Sequence, residues 1–245
     1  MRFEGKRVLV VGAASGLGAA IAKGFAAEGA RLTLVDRDAA MLAVLAGGLP
    51  EAQLVAADAA DPATAKRVNG TDILIHTAAI DPLSASDVPG TSLADWQAVL
   101  NVNLTSAFLF ARAVLPGMIA QRAGCLLFTG SISGLRPTPK EAAYSVSKAG
   151  IIQLARAIAL DHARDGIRSN TLCPGFLEAV MADRKATMDA RALADRSRAA
   201  AALVPLGREG RYAELAALAL ALCDDAVSSY VTGQAIVADG GVLLT

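Results

Sequence analysis

Residues 7–11, Arg-Val-Leu-Val-Val, form an apolar, β-branched run that stops on the turn Gly12-Ala13-Ala14-Ser15-Gly16-Leu17-Gly18. A helical pattern follows to about Glu28, and Gly29 can end it. A buried strand that turns at once into a helix leaves few folds open. Its side chains are apolar on both faces, so both faces must be covered. The rest of the chain repeats the unit. Residues 32–35, 53–57, 73–75, 125–129, 167–172 and 235–237 read as further strands, and helical patterns at 39–46, 93–121 and 141–163 separate them. Pro116 is expected to bend or break the 93–121 helix. Strands alternating with helices mean βαβ units, right-handed crossovers and a parallel sheet. The predicted fold is α/β and doubly wound, with seven parallel strands and helices on both faces.

At 245 residues the chain is long enough to bury a full core under such a sheet. No Pro/Ser-rich linker divides it and no repeat is visible, so residues 1–245 are expected to form one domain. The hydrophobic share is 54% but aromatics are only 4%, which fits alanine-rich helices around aliphatic strands. With 23 basic and 23 acidic residues, nucleic acid and anionic membranes are not expected partners. Cys125, Cys173 and Cys223 have no metal or redox spacing and read as buried thiols in a reducing compartment; no metal site is expected. Lys6-Arg7 before an apolar stretch imitates a signal peptide, but Glu4 and the glycines argue against one. The expected location is cytoplasmic.

Two stretches carry chemistry. In the first, Gly12 permits a tight turn, and Gly16 and Gly18 let backbone approach a pyrophosphate that the helix N-terminus stabilises. Asp36 follows 18 residues after Gly18, at the end of the second strand. The spacing Gly-x-x-x-Gly-x-Gly is not the usual dinucleotide fingerprint. The second stretch is Tyr144-Ser145-Val146-Ser147-Lys148. Four residues is just over one helical turn, so the Tyr144 hydroxyl and the Lys148 ammonium share a face. A free phenol has a pKa near ~10, and lowering it by ~3 units needs ~4 kcal/mol of preference for the phenolate. One ammonium at ~4 Å in an effective dielectric of ~20 supplies that much. The pair can make the phenol a general acid/base. Taken alone, it reads more readily as a solvated helix face.

Together the two stretches resemble the short-chain dehydrogenase/reductase family, over essentially the whole chain. Further family markers fall in order: Asp58, Asn103 within Asn101-Val102-Asn103-Leu104, Ser131 placed 13 residues before Tyr144, Pro174-Gly175, Thr232-Gly233-Gln234 and Asp239-Gly240-Gly241. The resemblance implies a Rossmann fold, a nicotinamide dinucleotide and a catalytic set of Asn103, Ser131, Tyr144 and Lys148. In that set Tyr144 exchanges a proton with the substrate oxygen and Ser131 orients that oxygen. Lys148 holds the nicotinamide ribose and keeps the phenol acidic, and Asn103 anchors a water linking Lys148 to solvent. The implied cofactor-binding residues are Gly12, Ser15, Gly16, Leu17, Gly18, Asp36, Arg37, Asp58, Ala78, Tyr144, Lys148, Pro174 and Gly175. A homotetramer packed through the Tyr144 helix and the 93–121 helix is also implied. Ser133 is close enough to compete with Ser131, and spacing alone selects Ser131.

Four departures stand out. His76-Thr77-Ala78-Ala79 replaces the family's Asn-Asn-Ala-Gly, and His76 reads as a backbone-anchoring substitute. Ala179 stands where the family has a threonine on the carboxamide. The stretch from Asp58 to His76 is short, so the helix within it should be clipped. Val11 precedes the first glycine in place of threonine. Residues 178–203 lack strand character and read as one or two amphipathic helices forming a substrate lid. The pocket is expected along 80–88, 135–140 and that lid; Arg136 and Lys140 read first as charges of a solvated loop, with an anionic substrate as the alternative. The expected activity is NAD(H)-dependent interconversion of a small secondary alcohol and its ketone. Asp36 favours NAD, and Arg37 complicates the choice. An NADP(H)-dependent 3-oxoacyl-carrier-protein reductase-like enzyme, an epimerase or dehydratase, and a catalytically silent dinucleotide-binding regulator remain alternatives.

Overall fold

The structure, a computed structural model, describes residues 1–49, 51–81, 86–178 and 189–245. Seven strands, β1 Arg7–Val11, β2 Arg31–Asp36, β3 Ala52–Ala56, β4 Ile73–His76, β5 Gly124–Thr129, β6 Ile167–Pro174 and β7 Ala235–Ala238, form one sheet. Its order is β3-β2-β1-β4-β5-β6-β7, and every pairing is parallel. The helices are α1 Gly16–Ala27, α2 Ala39–Ala46, α3 Pro62–Ala65, α4 Leu93–Leu100, α5 Ser106–Gln121, α6 Ala142–His162, α7 Ala190–Leu203, α8 Tyr212–Cys223 and α9 Asp225–Ser228.

The period-two geometry of a strand explains why the apolar runs are continuous. Val8 and Val10 of β1 face Ile21 and Phe25 of α1 and Leu215 and Ala219 of α8. Leu9 and Val11 face the other way, into a core with Phe110 and Met118 of α5 and Ile151 and Ala155 of α6. Each such aliphatic side chain contributes about 1.5–3 kcal/mol on burial. The sheet is therefore doubly wound, and all strand carboxyl ends share one edge. The order reverses between β1 and β4, and a crevice at such a switch point is where open α/β sheets bind ligands.

Residues 93–121 are one helical stretch, but its irregularity is not at Pro116. Pro116 sits inside α5, which runs on to Gln121. The carbonyl that loses its donor belongs to Arg112, and both residues are exposed, where water can satisfy it. The break is a π turn, Asn101–Thr105, between α4 and α5. By length and composition Leu93–Gln121 could cross a membrane; among the described residues it is the one such helix, and its buried side includes Phe110, Val114 and Met118. The clipped helix between β3 and β4 is α3, only four residues long. Of the expected lid, α7 is one helix of 14 residues. Ala179 and the rest of 179–188 lie outside the described residues.

Candidate active site

The glycine-rich turn is a backbone cradle. Gly12 has φ +81°, and a Cβ there would stand 2.5 Å from the Ala78 nitrogen. A Cβ on Gly18 would stand 2.0 Å from the Gly12 carbonyl oxygen, so α1 presses directly on the turn. Ser15 precedes α1 without a side-chain cap, and the first turn holds no acidic residue. The N–H groups of Gly16, Leu17 and Gly18 are thus left for an external anion. These features fit a dinucleotide pyrophosphate.

Asp36 closes β2 beside that turn. Its carboxylate accepts from the Ala14 N–H at 2.9 Å and the Asp38 N–H at 3.0 Å. Each oxygen keeps a further lone pair, enough for two ribose hydroxyls. Arg37 next to it is exposed. Asp58, beyond β3, accepts from Ala60 N–H at 2.8 Å in a tight turn. Thr77 ties β4 to the cradle, its hydroxyl lying 2.9 Å from the carbonyls of both Val11 and Gly12. Sequence reading missed this role and gave the anchoring to His76. The His76 ring instead bonds the Ser106 hydroxyl at 2.8 Å. Ser106 donates its own proton to the Val102 carbonyl, so Nε2 of His76 carries the hydrogen. Burial, then the charge of Lys148, pushes the His76 imidazole down to about 3, so it stays neutral and supports the π turn.

The π turn delivers Asn103, which is fully buried. Its Oδ1 accepts from Ile80 N–H at 2.8 Å, and its Nδ2 donates to the Ile80 carbonyl at 2.9 Å and the Ser147 hydroxyl at 3.1 Å. Ser147 in turn donates to the Tyr144 carbonyl at 2.7 Å. Asn103 therefore meets the Tyr144–Lys148 turn through Ser147, a residue to which the sequence gave no role. Lys148 is 1% exposed, and its Nζ donates to the Thr129 carbonyl at 2.9 Å. The same nitrogen lies 5.5 Å from the centroid of the Tyr144 ring. Burial pushes the Lys148 ammonium down to about 8, with Cys173 and Asp81 pulling the other way. It is still mostly charged at neutral pH.

Ser131 follows β5, and its Oγ accepts from the Ser133 N–H at 3.1 Å, which leaves its O–H able to donate. The Ser133 hydroxyl is paired with that of Thr138 at 2.8 Å. The short turn Ile132–Gly134 lies against α6, since a Cβ on Gly134 would stand 2.7 Å from the carbonyl carbon of Lys148. Gly175, after Pro174 at the end of β6, donates its N–H to Ala238 at 3.1 Å, and a Cβ there would meet Asp239 at 2.7 Å. The C-terminal markers are backbone ties: Thr232 accepts from Ser169 N–H, and Asp239 accepts from the N–H groups of Gly241 and Leu243. Arg136 reaches the carbonyls of Thr245 and Val242 at 2.6 and 3.3 Å, so it secures the C-terminal turn. Gly12, Asp36, Asp58, Ser131 and Gly175 stand at the carboxyl ends of strands or in the turns that follow them, whereas Asn103, Tyr144 and Lys148 come from helical segments. Cys125, Cys173 and Cys223 are free and buried, and among the described residues no His/Cys/Asp/Glu cluster could hold a metal.

A family model described as enoyl-(acyl carrier protein) reductase matches residues 12–243. The galactitol 2-dehydrogenase (L-tagatose-forming) of Cereibacter sphaeroides is 37% identical, with 98% of this chain and 96% of that protein covered. The 3-oxoacyl-(acyl-carrier-protein) reductase FabG of Thermotoga maritima is 36% identical, with 100% of each covered. The crystal structure of an oxidoreductase of the short-chain dehydrogenase/reductase family from Burkholderia thailandensis is 31% identical, covers 98% of this chain and 94% of its own, and gives a TM-score of 0.87. The chain belongs to the short-chain dehydrogenase/reductase family of oxidoreductases.

Proposed function

We propose that the protein interconverts a small secondary alcohol and its ketone with NAD(H), using Tyr144 as general acid/base. One observation carries this reading: a fully buried Lys148 ammonium lies 5.5 Å from the Tyr144 ring centroid, one helical turn along α6. The cofactor, when bound at the glycine-rich turn, supplies or accepts hydride. Tyr144 gives its proton to the ketone oxygen in reduction and takes it back in oxidation. The Lys148 charge favours the phenolate, and its bond to Thr129 keeps it in place. Ser131 donates to the substrate oxygen. Asn103 holds Ile80 and Ser147 around that pair.

The test is a panel of secondary alcohols with NAD and NADP, read by the absorbance of the reduced cofactor. Hexitols and 3-hydroxyacyl thioesters belong in it, given the names of the two relatives. Tight dinucleotide binding without turnover of any member would favour the silent-regulator reading. Assembly as a homotetramer is part of the same proposal. It is supported by the exposed apolar side chains of Phe108 on α5 and of Val146 and Leu160 on α6.

NAD is expected to be preferred over NADP by about a hundredfold or more in kcat/KM. Two bonds from ribose hydroxyls to the Asp36 carboxylate are each worth ~1.5–3 kcal/mol, and a 2′-phosphate would lose them and face a like charge. Asp36→Ala should collapse the preference to within about tenfold, with Arg37 then free to meet the phosphate. The variant also loses its bonds to Ala14 and Asp38, so a lower melting temperature is expected alongside. Equal use of both cofactors by wild type would favour the NADP(H)-dependent reductase reading instead.

A further inference from the structure

We propose that Ser147 is a positioning residue for the acid/base pair: its hydroxyl joins the Asn103 amide to the Tyr144 carbonyl, and that link holds the Tyr144 ring at its working distance from the Lys148 ammonium. The proposal rests on reading Tyr144 as the general acid/base. Ser147 is fully buried, as is Asn103. The Asn103 Nδ2 donates to the Ser147 hydroxyl oxygen at 3.1 Å, and that hydroxyl donates to the Tyr144 carbonyl at 2.7 Å. The amide nitrogen can only donate and the carbonyl can only accept, so the direction of both bonds is fixed. A serine that merely satisfies its own hydroxyl within a helix makes the second bond and has no use for the first.

The two ends of the pair are held from different elements. The Lys148 Nζ is tied to β5 through the Thr129 carbonyl at 2.9 Å. Tyr144 stands in the first turn of α6, which Glu141 opens without a side-chain cap, and helix ends fray more readily than their middles. Ser147 ties that turn to Asn103, which is itself a fixed post. The Asn103 amide bonds both the N–H and the carbonyl of Ile80, at 2.8 and 2.9 Å. The π turn that carries it is braced by Ser106, whose hydroxyl meets the Val102 carbonyl and the His76 ring. This frame sets the 5.5 Å between the Lys148 Nζ and the Tyr144 ring centroid. The attraction of an ammonium for a phenolate falls as they separate, so slack in the first turn of α6 makes the phenol a weaker acid.

The test needs no substrate. Phenolate formation is followed by ultraviolet difference titration in wild type, Ser147→Ala, Ser147→Thr, Asn103→Ala and the Ser147→Ala/Asn103→Ala double variant, with thermal melts to show that each folds. The chain has three tyrosines, and Tyr144→Phe identifies the step that belongs to Tyr144. Ser147→Ala should raise the Tyr144 midpoint by about one pH unit, a tenfold weaker acid. Ser147→Thr keeps the hydroxyl and should titrate as wild type does. The double variant should shift no further than Asn103→Ala alone, because Ser147 acts through Asn103. An unshifted midpoint in Ser147→Ala overturns the role of Ser147, as does a threonine variant that shifts as far as the alanine one. A further shift of equal size in the double variant overturns the route through Asn103. Should Ser147→Ala fail to fold, Asn103→Ala reads the same link from its other end, and an unshifted midpoint there overturns the proposal. A wild-type Tyr144 that titrates at the ordinary ~10 overturns the acid/base reading itself, and this proposal with it.

Discussion

Tyr144→Phe is expected to lower kcat by ~10²–10⁴-fold, the usual worth of general acid/base catalysis, while NADH binding changes by no more than about twofold. The two readouts divide because the substitution removes one oxygen and keeps the ring. The ring holds its place through α6, where the Tyr144 carbonyl accepts from Ser147 and Ser147 accepts from Asn103. None of those bonds uses the phenol oxygen. The reaction does use it, since the proton that leaves the alcohol has to go somewhere. Water can take that proton only slowly in a crevice where the neighbouring ammonium is 1% exposed. The measurement is kcat on whichever alcohol the panel selects, paired with a fluorescence titration of NADH. More than about a tenth of wild-type activity in the variant would remove Tyr144 from the acid/base role. Loss of NADH binding instead would make it a cofactor-packing residue.

The fold was legible in the sequence wherever a strand is buried on both faces. Val8 to Val11, Ile73 to Ile75 and Cys125 to Phe128 are apolar throughout because alternate residues serve two different cores. Their ends were legible because Gly12, Asp36 and Ser131 stand where the chain must turn or where polar groups meet the crevice. The π turn at Asn101–Thr105 left no such mark. A π turn is decided by what grips it, here Ile80 and Ser147 on Asn103 and His76 on Ser106, and none of these contacts has a local period. Pro116 was misleading for the same reason, as its cost depends on whether the orphaned carbonyl reaches water. Within the candidate site, the Tyr144–Lys148 spacing could be read from helical geometry alone. Partners supplied by backbone, such as the Thr129 carbonyl under Lys148, could not be read, because a backbone group has no sequence signature.

Lys148→Met is expected to stabilise the fold at pH 7 while lowering kcat on the scale expected for loss of the phenol proton. The two effects have one cause. Burial pushes the Lys148 ammonium from 10.5 to about 8, so the folded protein holds a charge that it disfavours. At 1.36 kcal/mol per pKa unit, that costs ~3 kcal/mol at any pH below both values. Methionine keeps most of the stem volume and carries no charge. It gives up the bond to the Thr129 carbonyl, a loss of ~1 kcal/mol or somewhat more. The balance is a gain of ~1–2 kcal/mol, or a few degrees in Tm for a chain of this length. The sign of the pH dependence follows from the direction of the shift. Between pH about 8 and 10.5 the unfolded wild type binds the proton that the folded form has released, so wild-type stability climbs across that window. The advantage of the variant is therefore complete below pH about 8 and gone by 10.5. Melts of both proteins at pH 7 and pH 10, with kcat measured on each, test both halves. Activity falls because the ammonium that favours the Tyr144 phenolate is missing, 5.5 Å from the ring centroid. A methionine variant that melts below wild type at pH 7 would mean that the folded protein compensates the charge in full, and that Lys148 is held as a structural cation rather than strained for catalysis.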